Sequence, residues 1–259
     1  MTSEPLRIGS RDNVALVQVR RALRDGAGYR RKGFALWLEG DHLLRACVAR
    51  GHPMTQVLLT EAAWQQPALR TLAQRAARVL LLPDALFKEF SALESPSSIG
   101  ALIQCPEAAA MRCDVPTVIL DRLQDAGNVG SILRSAAAFG VRQVVALSGT
   151  AALWSPKVLR AGMGAHFSLS LHEGLTPDAL DTLTLPWVAT SSHTRDLLHE
   201  ATLPQPCAWV FGHEGQGVAQ EIARRCTLTL RIAQPGGEES LNVAAAAAIC
   251  LHEAVRRRA

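Results

Sequence analysis

The chain of 259 residues has no apolar run near the roughly 18–20 residues that a membrane-spanning helix needs. Its first ten residues also lack the apolar stretch of a signal peptide. The cysteines Cys47, Cys105, Cys113, Cys207, Cys226 and Cys250 form no Cys-x-x-Cys pair, and several sit in apolar runs. Reduced thiols in a cytoplasmic protein are therefore expected, in place of a disulfide frame or a zinc cluster. His213-Glu214 and His252-Glu253 lack a second ligand pair at useful spacing, so no metal site is expected. No Gly-x-Gly-x-x-Gly follows the first strand-like run of the second half, because Gly127-Asn128-Val129-Gly130 does not supply it. That absence excludes a Rossmann-type dinucleotide site. Internal repeats and low-complexity segments are missing too, apart from the alanine run 244–248, which reads as a closely packed helix.

Lysine is nearly absent, with 3 residues against 24 arginines. The net charge of +4 is too small to identify a partner, but its distribution is uneven. Residues 1–50 carry ten Lys/Arg against five Asp/Glu, including Arg20, Arg21, Arg24, Arg30, Arg31 and Lys32. Arg256, Arg257 and Arg258 add a basic tail. A planar guanidinium grips phosphate oxygens as a two-pronged fork, so the 20–32 cluster reads as a phosphate-binding face. A solvated helix face explains the same residues without a ligand. Aromatics nearby are few (Tyr29, Phe34, Trp37), which favours phosphate positioning over base stacking.

Asn13 caps a predicted helix that runs to Asp25 and stops at Gly26. Residues 34–38 read as a strand, and 41–50 as a helix with Leu43, Leu44, Cys47 and Val48 on one face. Strands at 57–59, 79–82 and 99–105 alternate with helices at 67–77 and 84–90. This alternation over residues 1–105 predicts a small α/β/α domain. Residues 106–115 have no clear period and read as a linker. From 116 to 259, apolar β-branched runs at 117–121, 143–148, 187–191, 207–212 and 227–232 are separated by helical patterns. That is the pattern of a parallel sheet covered on both faces.

Three short blocks stand out in this second half. They are Gly127-Asn128-Val129-Gly130-Ser131-Ile132-Leu133-Arg134, Phe211-Gly212-His213-Glu214-Gly215-Gln216-Gly217 and Glu239-Ser240-Leu241-Asn242-Val243. Each follows a strand-like run and opens into an alanine-rich helical pattern. Each reads as a sharp loop in which glycines and small polar residues bring backbone close to a ligand, with the free N–H groups of a helix start behind it. Three such loops at the tips of successive βα units predict one composite site.

In order and spacing, these blocks resemble the signature motifs of the SpoU (TrmH) family, S-adenosylmethionine-dependent RNA ribose 2′-O-methyltransferases of the SPOUT class. The likeness runs from about Val115 to Arg257. Ser155-Pro156-Lys157-Val158-Leu159-Arg160 resembles the segment after the family's first motif. Glu39-Gly40 and Ser95-Pro96-Ser97-Ser98-Ile99-Gly100 resemble cues of the ribosomal-protein-like substrate-binding domain that many members carry first. The resemblance implies an α/β protein whose C-terminal parallel-sheet SPOUT domain, 116–259, ends in a trefoil knot and follows that RNA-binding domain. It also implies a homodimer, S-adenosyl-L-methionine as cofactor, and methylation of a ribose 2′-hydroxyl in structured rRNA or tRNA. A non-catalytic RNA-binding protein that keeps the fold is the alternative, against which the intact Arg134, Glu214 and Asn242 argue.

The resemblance assigns cofactor contacts to Thr190, Gly212, Ile232 and Leu241, largely through backbone. At Gly212 a Cβ is expected to crowd the adenosine. Arg134 falls where the family places a residue acting on the 2′-hydroxyl. A guanidinium, with a pKa above about 12, is a poor general base. Two readings stand: transient deprotonation helped by an RNA phosphate, or a lasting cation that stabilises the developing alkoxide, which energetics favour. Asn128 is expected to orient the loop or the substrate. Ser240 and Asn242 are expected to hydrogen-bond the ribose, the cofactor or a neighbouring loop, and Glu214 to organise the second and third motifs. Arg20, Arg21, Arg30, Arg31 and Lys32 are the expected RNA contacts. Ala126, Ala233 and Ala244 depart from residues frequent in the family (Pro, Pro and Ser) but delete no group this chemistry requires.

Overall fold

Branched and leucine-rich runs pair into two separate sheets, and each sheet belongs to its own compact unit. The computed structural model describes residues 4–31, 34–91, 96–236 and 240–256. Lys32, Ser95, Glu239, Arg257 and Arg258 lie outside the described residues.

The first unit comprises Met1–Glu107 together with Trp154–Phe167. In chain order it contains β1 (Leu6–Arg7), α1 (Val17–Arg24), β2 (Ala35–Glu39), α2 (Asp41–Ala49), β3 (Met54–Thr60), α3 (Glu61–Trp64), α4 (Pro67–Ala73), β4 (Val79–Leu82), α5 (Asp84–Lys88) and β5 (Ile99–Gln104). Asn13 does cap the first helical turn, its side chain accepting from Ala15 N at 2.9 Å. The sheet order is β1-β4-β3-β5-β2, parallel except that β5 runs antiparallel to both its neighbours. Leu16, Val19, Trp37, Leu58, Leu80 and Phe87 share one core. Burying a side chain of this size contributes roughly 1.5–3 kcal/mol relative to leaving it in water.

The second unit comprises Ala108–Leu153 and Ser168–Ala259. Its elements are β6 (Thr117–Asp121), α6 (Ala126–Ala138), β7 (Gln143–Leu147), then β8 (Ser170–Leu175), β9 (Trp187–Thr190), β10 (Ala208–Gly212), α8 (Gln220–Ala223), β11 (Leu228–Leu230) and α9 (Val243–Arg256). The intervening α7 (Pro156–Gly162) clusters with the first unit, where it packs on β2. All six strands are parallel, in the order β11-β9-β10-β6-β7-β8. Such strands are covered on both faces, which is why β6, β7 and β10 are buried at every position. Helix α9 packs against α6 and β10 through Ala247, Cys250, Leu251 and Ala254, all buried.

From β6 the chain proceeds outward to β7 and β8, and later returns to place β10 on the other side of β6. The strand order reverses at β6/β10. A crevice opens outside the carboxyl ends of strands at such a point, where no helix crosses over. The segments that follow β6 and β10 are the ones that carry the first two motifs.

Two expectations change. The first block is not a loop: Asp125 caps α6, and residues 127–134 are helical. The second block leads into the four-residue α8, not an alanine-rich helix. The six cysteines are free; Cys47, Cys207 and Cys250 are buried, and burial pushes the Cys250 thiol up to about 12. Among the described residues no helix is long and apolar enough to cross a membrane.

Candidate functional site

Asp121, the last residue of β6, lies in register with Gly212, the last residue of β10. The turn from Asp121 to α6 ends at Asp125, whose Oδ1 accepts from Asn128 N at 2.7 Å. This capping places Asn128 in the first helical turn. Asn128 Nδ2 donates to Glu214 Oε1 at 3.3 Å, and Asn128 Oδ1 accepts from Asn242 Nδ2 at 2.9 Å. Asn242 Oδ1 in turn accepts from Ala244 N and Ala245 N at 2.9 and 3.2 Å, so it caps α9. One line of side chains, Glu214–Asn128–Asn242, thus ties the three motifs together.

Glu214 also accepts from Gln124 N and Asp125 N at 3.3 and 3.2 Å. Partial burial pushes its carboxyl up, but the hydrogen bonds from its own backbone, Asn128, Asp125 and Gln124 outweigh that and hold it below the ordinary carboxylate value. An ionised carboxylate with these donors anchors one loop to the next; it is not poised to give up a proton.

The loop 213–219 folds tightly. His213 Nδ1 accepts from Gly215 N and Gln216 N at 3.0 and 3.2 Å, and Gly217 N donates to His213 O at 2.8 Å. The chain returns so closely that a Cβ at Gly212 would collide with the backbone of Gly217 and Val218. The requirement for glycine therefore comes from the protein's own loop, before any ligand is considered, and the expected adenosine contact is not its first cause.

Thr190 and Gly212 end the neighbouring strands β9 and β10, and Ile232 stands two residues past β11, which pairs with β9 on its other side. The three share the carboxyl edge of the sheet. Leu241, just before α9, keeps 39% of its surface exposed. In the Ile232 segment, buried Arg231 Nε and Gln234 Oε1 have no hydrogen-bond partner among the described residues. Backbone-rich strand ends, an exposed leucine and an unused buried acceptor suit a group that combines an apolar nucleoside face with amino and hydroxyl donors.

Arg134 is exposed on α6, with no hydrogen bond or ion pair among the described residues. It stands six positions after Asn128, about 9 Å along the helix axis and turned to another face. Ser240 is likewise exposed and unbonded among the described residues. Arg134 and Ser240 thus stand outside the network that joins Asn128, Glu214 and Asn242. Among the described residues no group of three or more His, Cys, Asp or Glu could hold a metal.

Sequence reasoning missed Asp121, Arg122, Asp125 and Gln216. Asp125 was legible as a cap three residues before the Asn128 N–H it holds. The others depend on loops that meet only in three dimensions.

In the first unit, Arg20, Arg21, Arg24 and Arg31 line a recess of about 360 Å³ with Val17, Asp25 and Phe34. The Arg21 and Arg31 guanidinium carbons lie 4.1 and 4.5 Å from the Phe34 ring centre, and Arg31 also pairs with Asp25. Arg20 lies over Phe90, and Arg30 lies over Tyr29 and does not line the recess.

A model of the SpoU rRNA Methylase family matches residues 116–252. An uncharacterized tRNA/rRNA methyltransferase of Synechocystis sp. is 33% identical over 100% of this chain and 96% of its own. A 23S rRNA (guanosine(2553)-2′-O)-methyltransferase of Bacillus subtilis is 29% identical over 83% of this chain and 86% of its own. The crystal structure of the SpoU methyltransferase AviRb from Streptomyces viridochromogenes, in complex with AdoMet, matches with a TM-score of 0.84 at 26% identity, covering 95% of this chain and 98% of that one.

Proposed function

The chain belongs to the SpoU rRNA methylase family, and from that premise we propose that it methylates a ribose 2′-hydroxyl in structured RNA, with S-adenosylmethionine as methyl donor. The observation that carries the reading is the hydrogen-bonded line Glu214–Asn128–Asn242, which gathers three motif loops at the β6/β10 switch point. S-adenosylmethionine, when bound, supplies an electrophilic methyl on a sulfonium, so the protein's task is mainly to position.

Thr190, Gly212, Ile232 and Leu241 hold the cofactor, largely by backbone. Glu214, Asn128 and Asn242 fix the loops around it, and Asn242 sets the start of α9. Arg134, unpaired among the described residues, is available to the substrate oxygen. Its cation stabilises the alkoxide character that develops as the 2′-oxygen takes the methyl from the sulfonium, and the hydroxyl proton passes to solvent water. Ser240 bonds the ribose or the cofactor.

Residues 1–105 act as the RNA substrate-binding domain, joined through 106–115 to the catalytic domain 116–259. Arg20, Arg21 and Arg31 grip phosphates at the recess, and Arg30 and Lys32 are further RNA contacts. The C-terminal segment closes a trefoil knot, and two chains associate in a homodimer, to which α9 offers Ile249 at 41% exposure. Light scattering at twice the 27.8 kDa chain mass is the expected result for that dimer. The six free cysteines suit a reducing, cytoplasmic setting.

The test is transfer of labelled methyl from S-adenosylmethionine to total RNA, with nuclease digestion to locate label on the ribose. RNA binding without transfer would support the non-catalytic reading instead, and label on a base would refute both.

A further inference from the structure

Arg122 follows β6 with φ +60°, a left-handed backbone that side chains other than glycine adopt at a steric cost. Nothing in the family resemblance assigns it a role. Its contacts explain the conformation. Nε and Nη2 donate to the two carboxylate oxygens of Asp121 at 2.9 and 3.2 Å. Nη1 donates to Gln216 Oε1 at 3.1 Å, and Nη2 reaches Gly217 O at 3.5 Å. Asp121 is only 2% exposed, and its Oδ2 accepts from Ala219 N at 2.6 Å. Two consecutive residues at the end of β6 therefore grip the loop after β10 at Gln216, Gly217 and Ala219.

The room for this grip is built in. Gly149, itself at φ +91°, lies against the Arg122 stem, and a Cβ there would stand 3.3 Å from Arg122 Cγ. A guanidinium has five N–H donors, and these bonds engage most of them, which leaves little for an external ligand. The side chain is thus committed to the protein. What it holds matters because Gly217 backbone lies directly on Gly212. A shift of Gly217 moves the surface at the end of β10.

We propose that Arg122 is a positioning residue: from a left-handed backbone, its guanidinium and the Asp121 carboxylate clamp the 213–219 loop in the shape that receives S-adenosylmethionine. The inference rests on the assignment of that loop to the cofactor. It separates two effects that usually travel together. The backbone conformation disfavours arginine, while the clamp requires it. Arg122→Gly relieves the first and removes the second.

The experiment compares wild type, Arg122→Gly, Arg122→Ala and Arg122→Lys by calorimetry with S-adenosylmethionine, thermal unfolding, and RNA binding without cofactor. Arg122→Gly is expected to unfold no earlier than wild type while its cofactor Kd rises about tenfold, the equivalent of one charge-assisted hydrogen bond. KM for the cofactor rises with Kd, and kcat at saturation changes little. Arg122→Ala loses cofactor affinity in the same way and unfolds earlier than Arg122→Gly, since it keeps the left-handed backbone without the clamp that offsets it. Arg122→Lys recovers only part, because an ammonium cannot bridge Asp121 and Gln216 as a fork. Wild-type cofactor affinity in folded Arg122→Gly or Arg122→Ala overturns the clamp, as does a loss confined to RNA affinity. Failure of the wild-type protein itself to bind S-adenosylmethionine would sink the functional reading, and the clamp with it.

Discussion

Arg134 and Glu214 are opposite cases of a charged residue in a motif. Arg134 makes no hydrogen bond or ion pair among the described residues, so its substitution removes no polar contact of the fold and tests the role proposed for it on the 2′-hydroxyl. Arg134→Ala is expected to lower methyl transfer by roughly 100-fold or more, the scale of losing one transition-state donor. Cofactor affinity by calorimetry should stay close to wild type, and Arg134→Lys should recover little. Glu214 is the opposite case, a carboxylate spent on the protein. Its folded pKa lies below the unfolded value, so its contribution to stability is fully present above the ordinary glutamate pKa near about 4.3. That contribution is lost as pH falls through the lower folded value. Denaturation of wild type and Glu214→Gln across pH 3–6, a range of about one to two units around that pKa, should show a gap that closes toward the acid end. A gap constant with pH would mean that the carboxylate charge is not what anchors the loop.

At the scale of elements, the site is made by helix starts and strand ends that cap one another. Asn128 begins α6, Asn242 begins α9, and they share a hydrogen bond of 2.9 Å although they are far apart in sequence. Asn128→Ala and Asn242→Ala should therefore couple, with a double-mutant interaction of about 0.5–3 kcal/mol in cofactor binding. Additive losses would show that the loops are fixed independently. The strand end at Gly212 is more brittle. Because a Cβ there meets the Gly217–Val218 backbone, Gly212→Ala should displace the loop and cost both cofactor affinity and thermal stability. Loss of affinity with unchanged unfolding would restore the reading in which the cofactor alone demands glycine. The strand runs at 117–121, 143–148, 187–191, 207–212 and 227–232 match β6, β7, β9, β10 and β11 within two residues at either end. The missed β8 is an edge strand, half-buried at most positions, and so carries no continuous apolar run to read.

For the molecule as a whole, the question is which surface would grip the RNA. The arginine recess of the first unit bears on that question, and it is testable in the full chain. Removal of residues 1–105 is a poor test, because Trp154–Phe167 clusters with that unit and Trp154 N donates to Tyr29 Oη at 3.2 Å. Truncation would strip that segment of its packing. Arg20, Arg21 and Arg31 changed together to Ala should weaken RNA binding and flatten its dependence on log salt, by roughly 0.7–0.9 for each phosphate no longer neutralised. Cofactor affinity should not change. An unaltered salt slope would identify the cluster as a solvated face held in place by Phe34, Phe90 and Asp25.

The sequence by itself determined the class of the protein. Continuous β-branched runs announce strands buried on both faces, and the order and spacing of three short blocks point to one site and its chemistry. Both signals are local, carried by residues within a few positions of each other. The tertiary structure decided what each residue in those blocks does. It made the first block a helix start, tied Glu214, expected as an organiser of the second and third motifs, to the first block, and gave Gly212 its reason in the returning loop. It also brought in Asp121 and Arg122, which lie outside all three blocks, and gave a partner to Gln216, to which the second block assigned no role. These roles depend on the strand order, which sets β10 beside β6 and so puts the loop at 213–219 against the turn at 121–125. Strand order follows from how the whole sheet buries its apolar surface, and no short stretch of sequence contains that.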